Sequence, residues 1–135
     1  MSQASERLER YLTDVEGCTP GAIEDRLAEL DELETRADEG AASAVETLDA
    51  LADDTRFRLV RALVLADEPL CVCEIHPLLE VSESAVSHAL SELAEAGLVA
   101  GHSEGRWRHY EATDRAERLV VAAPGADPST AGDDG

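Results

Sequence analysis

A mainly α-helical fold with one small β-hairpin is predicted by three features of this 135-residue sequence. Apolar residues recur at three- and four-residue spacing in successive segments, each bounded by a capping residue or a glycine. Only four residues are aromatic while 44% are hydrophobic, so the core must be built from Leu, Val and Ala. A single pair of short strand patterns near residues 98–110, joined by a glycine-containing turn, supplies the hairpin.

The first helix is expected over residues 5–15, with Ser5 as N-cap and Leu8, Tyr11, Leu12 and Val15 on one face. Gly17-Cys18-Thr19-Pro20-Gly21 breaks it. Thr19 then caps a second helix with Pro20 at its first position, a stripe of Ile23, Leu27 and Leu30, and Gly40 at its end. Ser43 and Glu46 form a capping box for a third helix carrying Val45, Leu48 and Leu51. Asp53 or Asp54 caps the fourth, in which Phe57, Val60 and Val64 share a face. A turn at Asp67-Glu68-Pro69 leads to a short helix over 70–79, bent near Pro77.

Ser82 to Ala96 is the best-specified helix. Ser82 is its N-cap, Val81 can staple to Val86, and Gly97 stops it. Val86, Leu90 and Leu93 face the core, whereas Ser84, Ser87, His88 and Ser91 face outward. Small hydroxyls and one imidazole suit a helix that enters a major groove without repelling phosphates. Leu98-Val99-Ala100 and residues 106–110 read as strands around a Ser103-Glu104-Gly105 turn. A last helix, 114–123, buries Ala116, Leu119, Val120 and Ala123 and ends at Pro124. The expected division is an acidic helical extension (1–43), a winged helix-turn-helix for DNA binding and dimerisation (44–123) and a disordered tail (124–135).

Composition restricts the function classes. The formal net charge is −19, and all eleven basic residues are arginine. Such acidity opposes nucleic-acid binding unless salt screens it, and at molar salt the Debye length falls to about 3 Å. A halophile-like composition is therefore expected, with folding or DNA binding lost as salt is withdrawn. Residues 1–50 hold fourteen acids against four arginines and read as a solvated helical surface. The polar first ten residues predict no signal peptide, and the longest apolar run, 119–123, is far too short to span a membrane. A cytoplasmic protein with reduced thiols follows.

The chemistry-bearing motif is Cys71-Val72-Cys73, because soft thiolates bind thiophilic metals and metalloids. Residues at i and i+2 diverge in a regular helix, but the first turn can let both sulfurs converge, and the helix end favours thiolate. Free cysteines are also common as small buried hydrophobes, a reading that fits Cys18 alone better than the pair.

The stretches LADDTRFRLVRAL, EPLCVCEIHPLLEVSESAVSHALSELAEAGLV and EGRWRHYEATD resemble the ArsR/SmtB family of metal-responsive repressors across about residues 48–120. The resemblance implies a homodimer on an imperfect inverted repeat of operator DNA, leaving it when an inducer binds. The first and last helices of the domain would form the dimer interface, which suits the stripes around Val45 and Leu119. It also implies DNA contacts from Ser84, Ser87 and His88, more weakly Ser91, and from Arg106 and Arg108 of the wing. Residues 51–113 still carry eleven acids against five arginines, so non-specific affinity should be weak.

For the inducer, the family's arsenical repressors bind As(III) or Sb(III) through C-V-C and a third cysteine three residues on. Here that position is His76. Related cadmium and lead sensors recruit N-terminal cysteines, so the expected ligands are Cys71, Cys73 and Cys18, the last from either protomer. His76 is a weaker alternative, suited to Zn(II) or Cd(II). The family's other metal site needs an Asp-x-His start on the last helix, and this chain has Asp114-Arg115-Ala116. His102 and His109 read as wing residues rather than ligands. No enzymatic cofactor is expected. Drawing Cys71 and Cys73 together would reset the cysteine helix and, through the Val86/Leu90 face, move the recognition helix.

Three further readings compete. A thiol redox sensor would oxidise the Cys71/Cys73 pair instead of binding metal. A cysteine enzyme would need a positioned base and an oxyanion site, and the sequence offers neither. An acidic protein-interaction module would not bind DNA at all.

Overall fold

The computed structural model describes residues 3–17 and 19–125, with side chains from residue 6 onward. Packing divides the chain into two compact units, residues 1–42 and 43–135. Of the expected tail, residues 126–135 lie outside the described residues, as does Cys18. No helix among the described residues is long and apolar enough to cross a membrane.

The first unit holds α1 (Gln3–Asp14) and α2 (Pro20–Asp38). Helix α1 starts before Ser5, which is therefore inside the helix and not its cap. On its expected apolar face Leu12 is buried, but Tyr11 and Val15 are exposed. Helix α2 follows the sequence closely. The Thr19 hydroxyl accepts from the Ala22 N–H at 3.3 Å, and Pro20 occupies the first turn, where a missing N–H costs nothing. Its Ile23, Leu27 and Leu30 stripe is only half-buried.

Helix α3 (Ala41–Leu51) leads into the second unit. It begins two residues before the predicted capping box, so Ser43 is helical and its carbonyl accepts from the Thr47 hydroxyl at 3.1 Å. Gly40, at φ +70°, provides the turn that lets α3 start early. Helix α4 (Asp54–Ala66) is capped by Asp53, whose carboxylate accepts from the Arg56 N–H at 3.0 Å. Its buried face is Leu59, Val60 and Leu63; the predicted Phe57 and Val64 lie half-buried beside it.

Beyond the turn, the predicted 70–79 helix is three things. Leu70–Cys71 is a strand, β1; Val72–Ile75 is one helical turn, α5; His76–Leu78 is a 3-10 turn holding Pro77. The strand was hidden because two residues carry no alternation to read; it exists through pairing with a distant strand. Then come α6 (Glu83–Glu95), β2 (Val99–Glu104), β3 (Trp107–Ala112) and α7 (Asp114–Ala122). The antiparallel sheet has the order β1-β3-β2, with Cys71 opposite His109 and His102 opposite His109 on the far side.

Helix α4 packs on α6 and α7, and β2 runs directly out of the α6 turn. The core joins Leu59, Leu63, Ile75, Leu90, Leu93 and Leu98, all at most 2% exposed. Full burial of each such side chain stabilises by about 1.5–3 kcal/mol, so an aliphatic core suffices without aromatics. Thr113 caps α7 and donates its hydroxyl to the Gly97 carbonyl at 2.8 Å, tying the last helix to the end of α6. In α7 Ala116 and Val120 are buried and Leu119 is half-buried; the helix ends at Ala122, so Ala123 is its extended C-cap, half-buried just beyond it.

The hairpin turns at Gly105-Arg106, not at Ser103-Glu104-Gly105, because Glu104 and Trp107 pair. Gly105 takes φ +65° at the first central position, where a two-residue hairpin turn of this kind favours glycine. Arg106 therefore sits in the tip rather than in a strand. Gly101 is required for a different reason: a Cβ there would lie 2.7 Å from the Tyr110 ring. Gly101→Ala should destabilise the fold by about 1–3 kcal/mol, the usual range for overpacking. A thermal melt checks this, and an unchanged midpoint would show that the ring yields freely.

Candidate DNA-reading face and thiol site

Helix α6 is positioned from its N-terminus. The Ser82 hydroxyl accepts from the Ala85 N–H at 3.1 Å, and Ser82 is extended, so the helix starts abruptly after the turn. Val86, Ala89, Leu90 and Leu93 fix its inner face in the core. Ser84, Ser87, His88 and Ser91 are all exposed on the outer face, where the sequence placed them. His88 Nδ1 lies 3.7 Å from Glu92 Oε1.

Glu92 also accepts from Arg56 Nη1 at 2.6 Å through its other oxygen. Arg56 in turn donates to the Ala50 carbonyl at 2.5 Å and the Asp49 carbonyl at 3.4 Å. One arginine thus joins the end of α3 to the carboxylate beside the outer face of α6. The sequence reading missed this link, since residues 36 positions apart give no local signal. A cleft of about 260 Å³ surrounds it, lined by Glu46, Asp49, Glu92 and Glu95 among others.

In the wing, Arg106 and Arg108 are exposed, and neither joins any ion pair among the described residues. Arg108 does not pair with Glu104 or Glu111. It donates to the Ser103 hydroxyl at 3.2 Å and lies over the Tyr110 ring at 5.5 Å. Those contacts hold the guanidinium along the strand.

The two thiols meet at the start of α5. Cys71 is its N-cap, with Sγ accepting from the Cys73 N–H at 3.3 Å, while Glu74 accepts from the Cys71 N–H at 2.8 Å. The two sulfurs are 2.7 Å apart, so they have converged as the first-turn argument requires. Cys71 is buried and Cys73 exposed. The expectation that a helix end favours thiolate is corrected for Cys73. Its hydrogen bond to Cys71, then desolvation and the charges of Cys71 and Glu74, push the thiol above its ordinary value; a backbone hydrogen bond opposes them. Cys73 accordingly holds its proton more firmly, and an incoming metal must displace it.

A pH profile tests this. Alkylation of Cys73 by iodoacetamide should stay slow through neutral pH and accelerate only above the ordinary thiol range, because the thiolate is the nucleophile. Cys71→Ala should move the profile to lower pH. Coincident profiles would show that the thiol pairing does not set it.

His76 does not join the sulfurs. Its Nε2 lies 3.0 Å from the Val81 carbonyl. Among the described residues no three potential metal ligands stand together. His109 faces Cys71 in register and stacks on His102, ring centroids 5.7 Å apart, with its Nδ1 buried and unpartnered.

A tightly capped helix with a small polar outer face, entered through a short turn and followed by a two-arginine hairpin, defines a winged helix-turn-helix regulator. The chain belongs to the ArsR family. Residues 53–100 match the family model described as bacterial regulatory protein, arsR family. A Halobacterium salinarum protein named for an arsenical resistance operon repressor, ArsR, is 50% identical over 125 residues, covering 91% of this chain and 97% of its own length. The cadmium resistance transcriptional regulatory protein CadC of Listeria innocua is 40% identical over 60 residues, 44% of this chain and 50% of its own. Among solved structures, HlyU from Vibrio cholerae superposes with a TM-score of 0.56 at 30% identity, covering 61% of this chain and 88% of that one. Members of this family are DNA-binding transcriptional regulators, not enzymes.

Proposed function

We propose that the chain is a homodimeric, cytoplasmic repressor released from its operator by a thiophilic inducer bound at Cys71 and Cys73. The observation that carries this reading is the pair of sulfurs 2.7 Å apart on the turn that leads into α6. As(III) or Sb(III) is the preferred inducer, supported by the name and high identity of the Halobacterium relative. Cd(II) or Zn(II) is the alternative, supported by the resemblance to a cadmium regulator. Cys18 completes the site, from the same protomer or its partner. Operator DNA, an imperfect inverted repeat, is read by Ser84, Ser87 and His88, with Ser91 in a lesser role, while Arg106 and Arg108 contact the backbone or minor groove. The exposed Val45 and Leu48 of α3 and Val121 of α7 support pairing of two protomers through these helices.

A redox reading has one observation in its favour, the same sulfur contact: a peroxide could oxidise both thiols to a disulfide while being reduced to water.

Mobility shift on operator DNA in molar salt tests the proposal, with arsenite, antimonite, Cd(II) and Zn(II) titrated separately. Release by a metal or metalloid supports it. Release by peroxide alone, with no metal response, favours the redox reading. Undiminished binding in dilute buffer would remove the halophile expectation.

A further inference from the structure

We propose that His76 is a positioning residue that couples the thiol pair to the recognition helix. The inference rests on the reading of Cys71 and Cys73 as the inducer site. It begins with the 3.0 Å contact between His76 Nε2 and the Val81 carbonyl. A carbonyl can only accept, so Nε2 is the donor in this contact. Val81 immediately precedes Ser82, the N-cap of α6, whose carbonyl accepts the first helical N–H, from Val86, at 3.1 Å. The imidazole therefore fixes the backbone at the point where the recognition helix starts.

At its other end, His76 closes the cysteine turn. Its own N–H donates to the Val72 carbonyl as the C-cap of α5. Its carbonyl accepts from Leu79 across the 3-10 turn at 3.2 Å. One residue thus terminates the turn that carries the thiols and grips the residue that opens α6.

The two sulfurs are unequally free to move. Cys71 is buried and held by β1 pairing to β3, whereas Cys73 is exposed on the turn. An ion held by both sulfurs is therefore accommodated by Cys73, the free half of the pair, three residues before His76. Any shift of Cys73 is transmitted to His76, which closes the same turn, and so to its contact with the Val81 carbonyl. Ile75 and Leu79, both buried in the core that receives Val86 and Leu90, limit the motion to the ring and the turn. A third thiolate at position 76 would add a ligand; the imidazole found there supplies a latch.

The test uses the full chain in molar salt, with Cd(II) and arsenite as probes. Metal binding is followed by thiolate charge-transfer absorption and operator binding by fluorescence anisotropy. In wild type the inducer should weaken operator affinity by roughly 5- to 150-fold. His76→Ala should keep the absorption spectrum and stoichiometry but bring that ratio close to one. His76→Gln, which can still donate to Val81, should restore much of it. A full ratio in His76→Ala overturns the proposal, and so does an altered metal spectrum, which would make His76 a ligand. Should His76→Ala fail to fold, nitrogen NMR of the wild-type ring decides. Loss of the Nε2–H contact on Cd(II) binding supports the latch, and its persistence overturns it. Cys71→Ser/Cys73→Ser separates the two levels: retained metal binding there overturns the thiol-site reading and the latch with it.

Discussion

Cys71→Ser should leave operator binding intact and abolish its release by arsenite or Cd(II). Coupling free energies between effector and DNA sites run at about 1–3 kcal/mol, so a wild-type response of roughly 5- to 150-fold should fall to none. Cys71 is the sensitive position because it is the fixed half of the pair, buried and paired to β3, and it receives the Cys73 N–H. A serine hydroxyl is a good N-cap, so α5 should survive the change while losing its soft ligand. The fold is thus spared and the inducer response is not. Parallel anisotropy titrations of wild type and variant, with and without arsenite, give the answer. A variant that is still released would move the inducer site elsewhere in the chain.

Placing aspartates at Leu48 and Val121 together should yield a monomer and reduce operator affinity by about 10²- to 10⁴-fold, the advantage that linking two half-site contacts ordinarily confers. These side chains are 52% and 61% exposed on α3 and α7, in a chain whose surface is otherwise crowded with carboxylates. Burying them against a second copy removes apolar area from water, at about 25 cal/mol per Å². Added charge would oppose that burial without entering the core of the protomer. Sedimentation in molar salt reports the mass, and operator titration reports the affinity. A dimer that persists would place the interface on other helices.

The helices were legible wherever a cap and a stripe agreed. Thr19-Pro20, Asp53 and Ser82 each mark a start the structure reproduces, because their side chains satisfy an N–H that nothing else can reach. Ser43 misled because its capping-box spacing competes with Gly40, whose positive φ lets the helix begin earlier. The outer face of α6 was readable for the opposite reason: Ser84, Ser87, His88 and Ser91 break an otherwise acidic surface pattern. Strand β1 and the Arg56–Glu92 link were not readable, since both depend on partners far along the chain. The Cys71/Cys73 pair was visible as chemistry, but not the raised pKa of Cys73 or the burial of only one of the two thiols. His76 stood out only as a missing sulfur; its bond to Val81 depends on the 3-10 turn folding back.

The outer face of α6 presents hydroxyls and one imidazole, with no permanently cationic side chain among them. On random duplex such a surface displaces few counterions, so it gains little from contacts that ignore sequence. Long one-dimensional sliding along the chromosome is then a poor way to locate a site. The operator would be found instead by repeated collision from solution, with each wrong encounter brief. The time scale of repression is set by how slowly the matched complex dissociates, and that is the step an inducer has to shorten.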